Sequence, residues 1–381
     1  MNQPSTAHYI AAMRQAIVLA KRGMTTTTPN PRVGCVLIDD SGRVIGAGFH
    51  RRAGGPHAEV EALRQAGPRA RGATAVVTLE PCAHHGRTPP CADALIAAGV
   101  HRVVYGMTDP NPLVSGKGLT RLAEAGIEVI GPLLEESCRA LNPGFIRRMK
   151  EGRPAFFLKT AASLDGRIAL SNGASRWITG LEARCDVHRW RARCCALMTG
   201  IATVLADDPA LTVRHVATDR PPVRIVLDSR LQLPETATLV TDRAAPTWVI
   251  TTAAADPAKA DRLTQQGVTV HCLPADRNGR VDLVALASFL GQAAINEVLV
   301  EAGPTLAYAL LAQKWIDRWI HYLAPKALGG DARPLLPPLA LTELAAAPHW
   351  QIDTVRRFGE DLRIEFVPTP TTSDRPTKEP P

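Results

Sequence analysis

The sequence predicts an α/β protein made of two domains. Segments with the patterns of strands and helices alternate along most of the chain, which is typical of a partly parallel sheet covered by helices. The length of 381 residues exceeds what one hydrophobic core usually supports. A short basic segment punctuated by glycine and proline, residues 144–154, marks the predicted boundary. We therefore expect one domain over residues 1–150, a second over 151–367 and a tail over 368–381.

The first domain begins with a helix and a hairpin. Apolar side chains at Ile10, Met13 and Ile17 follow one helix face, which predicts a helix over residues 9–22. The prolines on either side of Asn30 then prevent helix continuation. Two apolar runs joined by a turn at 39–42 predict an antiparallel strand pair. The strands are expected at 33–38 and 44–49, followed by a helix at 58–65, a strand at 73–79, a helix at 92–98, a strand at 102–105, a helix at 119–125 and a strand at 127–130.

A second alternation of strands and helices follows the boundary. Its strands are predicted at 155–160, 223–227, 247–251, 268–272 and 297–301, and its helices at 181–193 and 305–313. The tail over 368–381 is rich in proline, threonine and charge, so it has too little apolar surface to pack. We expect it to be disordered.

Composition favours a globular protein of the cytoplasm. Hydrophobic residues make up 45% of the chain, and no apolar run is long enough to span a membrane. The chain start has no signal-peptide pattern, and eight cysteines without regular spacing do not suggest disulfides. The net charge of +8 lies mainly in the first half and is dispersed. Either a solvated surface or attraction of an anionic substrate explains it.

Three residues form a candidate zinc site. His57 opens a predicted helix, Cys82 follows a strand, and Cys91 starts the next helix. Strand carboxyl ends and helix amino ends meet at one edge of a parallel sheet, so these side chains can converge. One imidazole and two thiolates leave the fourth position of tetrahedral zinc open, as in catalytic sites. Glu59 points away from His57 on the helix, which suits a proton shuttle better than a ligand.

The order His-x-Glu, then Pro-Cys, is the signature of zinc nucleobase deaminases, whose second element is usually Cys-x-x-Cys. Here residues 83–90 separate the two cysteines instead. Two readings compete with this site: unrelated cysteines beside a chance His-x-Glu, or His84 and His85 as rival ligands. The insert itself has the composition of a loop that touches substrate.

Long motifs carry a resemblance to one family. The stretches are 29–36 (PNPRVGCV), 55–60 (GPHAEV), 78–91 (TLEPCAHHGRTPPC), 162–167 (ASLDGR), 177–179 (WIT), 205–214 (LADDPALTVR) and 300–306 (VEAGPTL). Together they closely resemble the bifunctional riboflavin biosynthesis deaminase–reductases, over residues 8 to about 366. The resemblance implies a cytidine-deaminase-like three-layer α/β domain followed by a dihydrofolate-reductase-like α/β domain.

For the first domain, the resemblance implies hydrolytic deamination of 2,5-diamino-6-(5-phosphoribosylamino)pyrimidin-4-one. Zinc would be held by His57, Cys82 and Cys91, and Glu59 would move the protons. Asn30 would hold the base or the ribose, because its carboxamide both donates and accepts hydrogen bonds. Initiation of the Asn-Pro turn is its alternative role.

For the second domain, the resemblance implies reduction of the ribosyl group to ribityl by NADPH. The implied cofactor contacts are Ala161, Trp177, Thr203, Ser229, Gly303, Pro304, Thr305 and Leu306. A helix start after Gly303 would offer free N–H groups to a phosphate, although an ordinary strand-to-helix connection explains that glycine equally well. Trp177 has a core role as its alternative, and Arg230 is a candidate partner of the cofactor 2′-phosphate.

The implied substrate contacts are Ser175, Arg191, Asp207, Leu211, Arg214 and Glu301. The forks of Arg191 and Arg214 suit a ribose phosphate, although isolated arginines are more often surface residues. Asp207 and Glu301 would bind ribose hydroxyls or else cap neighbouring structure. The remaining cysteines Cys185, Cys194 and Cys195 are expected to pack in the core.

Two other functions agree less well with the sequence. A nucleic-acid deaminase would need stacking aromatics, but aromatic residues are only 4% of the chain, and the second domain would be unexplained. A zinc-stabilised binding module would call for four protein ligands rather than three beside Glu59. We therefore expect a small-molecule pyrimidine ribotide as substrate, no nucleic acid or membrane partner, and a homo-oligomer, either dimer or tetramer.

Overall fold

A computed structural model describes residues 5–83, 90–112 and 114–369 of the chain. It divides into two compact units. The first comprises Met1–Pro154 with the short later segments Thr218–Arg220 and Ser288–Asn296. The second comprises Ala155–Ala217, Pro221–Ala287 and Glu297–Pro381. Among the described helices, none is long and apolar enough to cross a membrane.

The first unit is built on a five-stranded sheet with strand order β2-β1-β3-β4-β5. Strands β3, β4 and β5 are parallel, whereas β1 runs antiparallel to both of its neighbours. Its elements are α1 Thr6–Lys21, β1 Gly34–Ile38, β2 Val44–Phe49, α2 Ala58–Ala66, β3 Thr74–Val77, α3 Cys91–Ala97, β4 Arg102–Tyr105, α4 Lys117–Glu124, β5 Glu128–Ile130, α5 Glu135–Arg139 and α6 Pro143–Glu151.

Helix α1 lies unusually close to the central strand β1. All five residues of β1 are buried, and a Cβ placed on Gly34 would lie 2.0 Å from the Ala16 carbonyl oxygen. Only glycine allows this approach, since real Cβ atoms do not come so near a backbone atom. The close packing fixes β1, which is the first strand of the β1–β2 hairpin and pairs with β3 on its other side.

The second unit is built on a nine-stranded sheet of order β11-β10-β9-β8-β12-β6-β13-β16-β15. The strands from β11 to β13 are parallel to their neighbours, and β13, β16 and β15 pair antiparallel. Its elements are β6 Ala155–Ser163, β7 Arg167–Ala169, α7 Leu181–Arg193, β8 Ala196–Gly200, α8 Ile201–Asp207, β9 Val223–Leu227, α9 Thr238–Thr241, β10 Thr247–Thr251, α10 Pro257–Gln265, β11 Val268–Cys272, α11 Leu283–Gln292, β12 Glu297–Val300, α12 Pro304–Ala312, β13 Ile316–Ala324, β14 Arg333–Pro334, β15 Trp350–Phe358 and β16 Asp361–Pro368.

The predicted α/β class with a partly parallel sheet is confirmed, and so is the antiparallel hairpin of β1 and β2. Residues 144–154, predicted from their glycine and proline content to be a linker between domains, are mostly helical. Residues 143–151 form helix α6, because Pro143 occupies the first turn, where a missing N–H costs nothing, and Gly152 ends the helix in a left-handed conformation. Strand β16 includes Pro368, the first residue of the predicted tail, and residues 370–381 lie outside the described part.

Candidate active sites

The first unit brings its three predicted metal ligands to one edge of the sheet. His57 is the residue just before helix α2, Cys82 follows strand β3, and Cys91 is the first residue of helix α3. Among the histidine, cysteine and acidic side chains of the described residues, these three form the group that could hold a metal ion. The convergence arises from β3 and the amino ends of two helices, as the alternation of elements predicts.

The distances between the ligand atoms suit tetrahedral zinc. His57 Nδ1 lies 3.1 Å from Cys91 Sγ and 3.7 Å from Cys82 Sγ, and all three ligand atoms lie within 4.8 Å of one another. Zinc at its usual distances from sulfur and nitrogen places its ligand atoms about 3.4 to 3.8 Å apart, so the His57–Cys82 distance matches and the His57–Cys91 pair would separate by a few tenths of an ångström. A hydrogen bond from the Cys91 thiol lowers the pKa of Cys82, while the same bond and burial raise the pKa of Cys91, so the metal-free pair favours one thiolate beside one thiol and metal binding would release the remaining proton. The donor set therefore fits zinc.

Glu59 lies beside the three ligands without joining them. It is the second residue of α2 and is only 3% exposed. Burial raises the pKa of its carboxyl group to about 6. A carboxyl group with a pKa near neutrality can both accept and return a proton, which is what a general acid–base requires.

Asn30 faces the same cavity and has a fixed amide orientation. The cavity has a volume of about 610 Å³ and is lined by Asn30, His57 and Glu59, among others. Burial lowers the pKa of His50, whose Nδ1 lies 2.9 Å from the Pro56 carbonyl oxygen and therefore donates to it. His50 Nε2 must then accept from Asn30 Nδ2, 3.0 Å away. The Asn30 carboxamide oxygen and its second Nδ2 hydrogen can then face a ligand.

Glu80 fixes a second wall of this cavity. Its buried carboxylate accepts hydrogen bonds from the backbone N–H groups of Asp109, Gly116 and Gly118 at 3.0 to 3.1 Å. Asp109 and Asn111 both line the cavity. Glu80 stands two residues before Cys82, so the loop over 109–118 is tied to the strand end that supplies a metal ligand.

The insert between the two cysteines is only partly described. Residues 84–89 lie outside the described part, which includes the rival ligands His84 and His85 and the proposed substrate contacts of the loop. The alternative that these histidines replace a ligand is therefore still a prediction.

The second unit contains a separate cavity at the predicted cofactor residues. Thr203, Ser229 and Gly303–Leu306 line it. Gly303 caps helix α12 and Pro304 is its first residue, so the helix start opens into the cavity. Ser229 Oγ accepts a hydrogen bond from the Val281 N–H at 2.9 Å, and Arg230 and Arg280 lie at the rim.

Two predicted cofactor residues lie elsewhere. Ala161 lies in strand β6 and Trp177 precedes helix α7, and neither lines the cavity. Trp177 is 61% exposed, and the Arg184 guanidinium carbon lies 4.2 Å from its ring centroid. The alternative of a core tryptophan is therefore wrong, because the indole ring is largely outside the core. Its contact with the cofactor stays a prediction.

Arg191 and Glu301, two predicted substrate contacts, bind each other. Arg191 Nε and Nη2 donate to the two Glu301 oxygens at 2.6 and 2.9 Å, and Nη1 donates to the Thr212 carbonyl oxygen at 2.9 Å. Burial would raise the pKa of Glu301, but the Arg191 guanidinium outweighs it and holds the value at about 2. The alternative that Arg191 is a simple surface residue is wrong, since its side chain is only 12% exposed.

The other predicted substrate residues differ in burial and in their contacts. The Arg214 backbone N–H donates to His188 Nδ1 at 2.8 Å, whereas its side chain is exposed. Leu211 is packed in the hydrophobic core, so only its backbone is left for a ligand. Asp207 is exposed at the end of α8, and the neighbouring Asp208, rather than Asp207, binds Thr238. Ser175 is half-buried before Trp177.

Sequence reasoning missed one charged residue in the second unit. Lys159 interrupts the otherwise apolar strand β6, and its ammonium lies 4.0 Å from a Glu301 oxygen. Burial lowers the pKa of this lysine. The sequence did carry a signal for this residue, namely a lysine inside a predicted buried strand. Lysine is almost never fully buried unless it is paired, so an acidic partner could have been expected.

Comparisons with known proteins match both halves of the chain. Residues 7–107 match the family described as cytidine and deoxycytidylate deaminase zinc-binding region, and residues 154–364 match the RibD C-terminal domain. The riboflavin biosynthesis protein RibD of Escherichia coli is 48% identical and covers 93% of this chain and 98% of its own. RibD of Haemophilus influenzae is 45% identical over 93% and 96%.

Solved structures give the same result. Acinetobacter baumannii RibD has a TM-score of 0.87 at 43% identity, covering 95% of this chain and 99% of its own. A Thermotoga maritima protein titled diaminohydroxyphosphoribosylaminopyrimidine deaminase/5-amino-6-(5-phosphoribosylamino)uracil reductase has a TM-score of 0.83 at 36% identity, covering 95% and 99%.

Proposed function

The chain belongs to the RibD family of bifunctional riboflavin biosynthesis deaminase–reductases, and on this premise we propose how its own residues divide the two reactions. The observation that carries the proposal is the convergence of His57, Cys82 and Cys91 beside the buried Glu59. The cofactors are Zn²⁺ for the first reaction and NADPH for the second. We place the deaminase in residues 1–150 and the reductase in residues 151–367.

In the first reaction, 2,5-diamino-6-(5-phosphoribosylamino)pyrimidin-4-one and water give 5-amino-6-(5-phosphoribosylamino)uracil and ammonia. His57, Cys82 and Cys91 would hold a zinc ion, which would lower the pKa of water to about 7 and so supply a nucleophile at neutral pH. Glu59 accepts the proton released from the attacking water and returns protons to the ring nitrogen and the leaving amine. The Asn30 carboxamide oxygen accepts a hydrogen bond from the base or the ribose.

In the second reaction, a hydride from NADPH and a proton convert the ribosyl side chain to ribityl. The cofactor carries the hydride, so the protein mainly has to orient it and the sugar. Thr203, Ser229 and the start of helix α12 would hold the cofactor, a proposal supported by the cavity that they share. The backbone N–H groups after Gly303 suit a phosphate. We assign substrate recognition to the Arg191–Glu301 pair, with Ser175, Asp207, Leu211 and Arg214 around it.

One experiment tests both reactions and their order. Purified, zinc-loaded protein receives the diaminopyrimidine ribotide, and ammonia release and nicotinamide oxidation are followed separately. We expect ammonia without NADPH, and NADPH oxidation only after deamination has begun. Oxidation of NADPH with no ammonia release, or neither signal, would contradict the proposal.

We also propose that the chain forms a homo-oligomer, either a dimer or a tetramer. Strand β15 is a sheet edge, and Ile352 and Val355 on it are 59% and 53% exposed. On strand β16, Phe366 lies opposite Ile352 and Ile364 lies opposite Val355, and on β13 Trp319 lies opposite Phe366. These half-buried side chains share one sheet face with Ile352 and Val355. Such an exposed apolar strip on an edge strand is costly unless another surface covers it.

The oligomer proposal predicts the effect of charge on this strip. The double variant Ile352→Lys, Val355→Glu should lower the molar mass in light scattering to that of one chain. Leu344→Lys serves as the control, because Leu344 is exposed but lies outside the strip. A wild-type protein that is already monomeric would refute the proposal.

We also propose that the protein is located in the cytoplasm. Thiolate ligands such as Cys82 and Cys91 are kept reduced in that compartment.

A further inference from the structure

Side chains distant in sequence hold the turn that presents Asn30 to the deaminase cavity. We define the Asn30 turn as residues 28–32, in which Pro29 and Pro31 have no backbone N–H. The Asn30 N–H donates to the Thr27 carbonyl oxygen at 3.1 Å. The two prolines cannot donate, so hydrogen bonds that fix the position of the turn must come largely from donors elsewhere in the chain.

Asn296 supplies one such donor. It is 5% exposed, and its Nδ2 donates to the Pro29 carbonyl oxygen at 2.9 Å and lies 3.4 Å from Thr28 Oγ1. Its Oδ1 accepts a hydrogen bond from Arg148 Nε at 2.7 Å. A guanidinium can only donate, so this bond fixes which end of the Asn296 amide faces Pro29.

Arg148 closes the arrangement into a triangle. Its Nη2 also donates to the Pro29 carbonyl oxygen, at 3.4 Å. One carbonyl oxygen thus receives two donors, and those two donors are joined to each other through Asn296 Oδ1. Arg148 and Ala294 line the same cavity as Asn30, so the triangle stands directly at the deaminase site.

The other end of the Asn30 turn is held by Asn142. The Arg32 N–H donates to Asn142 Oδ1 at 2.7 Å, and Asn142 Nδ2 donates to the Arg32 carbonyl oxygen at 2.9 Å. The Asn142 amide thus binds both the N–H and the C=O of one residue, as a hydrogen-bonded residue of a neighbouring antiparallel strand would. Asn30 therefore lies between two residues, Pro29 and Arg32, whose backbone groups are held by side chains distant in sequence.

We propose that Asn296 is a positioning residue for deamination, which acts by holding Pro29 and, through it, the substrate-facing carboxamide of Asn30. The inference rests on the proposed function of the first unit. Asn296 lies within residues 154–364, which match the reductase domain, yet the segment Ser288–Asn296 packs as part of the first unit. Deamination thus depends on a side chain encoded far outside residues 7–107, which match the deaminase family.

The test uses two substitutions in the full-length, zinc-loaded protein. Asn296→Ala removes the donor to Pro29 and the acceptor for Arg148. Asn296→Asp keeps the acceptor for Arg148 but removes the donor. Displacement of a substrate-binding group by about 1 Å can cost about a hundredfold. We expect both variants to lower kcat/KM for ammonia release about tenfold to hundredfold, mainly by raising KM.

Three further measurements separate positioning from general damage. Zinc content, thermal unfolding and NADPH oxidation with the deaminated ribotide should stay near wild type in both variants. Gln292→Ala, an exposed position in the same segment, should leave both activities unchanged. An unaltered KM for deamination in both variants would overturn the inference, and so would an equal loss of both activities with a lowered Tm. If the wild type itself releases no ammonia, the proposed function fails instead.

Discussion

Replacing Glu59 by glutamine should abolish deamination while leaving zinc in place. Glutamine keeps the size of the side chain but cannot accept or return a proton. General acid–base catalysis contributes about 10² to 10⁴ in rate, so we expect ammonia release to fall about a thousandfold or more. Because His57, Cys82 and Cys91 are unchanged, the protein should bind the same amount of zinc, which metal analysis of the purified variant measures.

The reductase supplies an internal control for the Glu59→Gln variant. The same molecules should oxidise NADPH at the wild-type rate when they receive the deaminated ribotide, because Glu59 lies in the first unit. Near-normal ammonia release from a zinc-replete variant would remove Glu59 from the mechanism. Loss of zinc would instead make it a contributor to metal binding.

Replacing Glu301 by glutamine should have the second largest effect, this time on reduction. The substitution leaves Arg191 and Lys159 as two cations with no carboxylate between them, in a place where both are largely buried. Breaking a buried pair costs about 3 kcal/mol or more. We expect NADPH oxidation to fall at least about a hundredfold and the free energy of unfolding to fall by about 3 kcal/mol, measured by denaturant titration.

The Glu301 pair also gives a pH dependence with a definite sign. The folded pKa of Glu301 is about 2, below the usual value of a glutamate in an unfolded chain. Such a group adds stability above its unfolded pKa and loses it as the pH falls toward its folded pKa. The wild type should therefore lose stability between about pH 5 and pH 2, and Glu301→Gln should lose less over the same interval. Equal acid sensitivity would contradict this, and unaltered deamination by the variant is the control.

The sequence predicted the convergence of the three candidate zinc ligands, because these motif residues stand at or near element ends. His57 and Cys91 sit at helix starts and Cys82 follows a strand, so the alternation of elements was enough to predict their convergence. Strand and helix positions in this part of the chain came from apolar periodicity, which is strongest where an element is buried. Strand β1, with all its residues buried, is such a case.

Other features were beyond reach because they depend on contacts distant in sequence. Strand β15 is exposed on most of its residues and carries charge, so its pattern does not differ from that of a loop. The pairing of Arg191 with Glu301 joins residues 110 positions apart, and each had been expected to meet a ligand independently. Asn296 has no sequence signal at all, since a single asparagine before a strand is common.

The way Glu80 holds the loop over 109–118 bears on how this enzyme could be redesigned. The carboxylate recognises backbone N–H groups only, so it is indifferent to most side chains of the loop. Gly118 is an exception, because a Cβ there would lie 1.8 Å from the Pro81 carbonyl oxygen. Positions 110–112 can therefore be varied in a library while the attachment survives. Asn111 lines the cavity, so substitutions there would change the surface that a modified pyrimidine meets, while Glu80 keeps the loop attached.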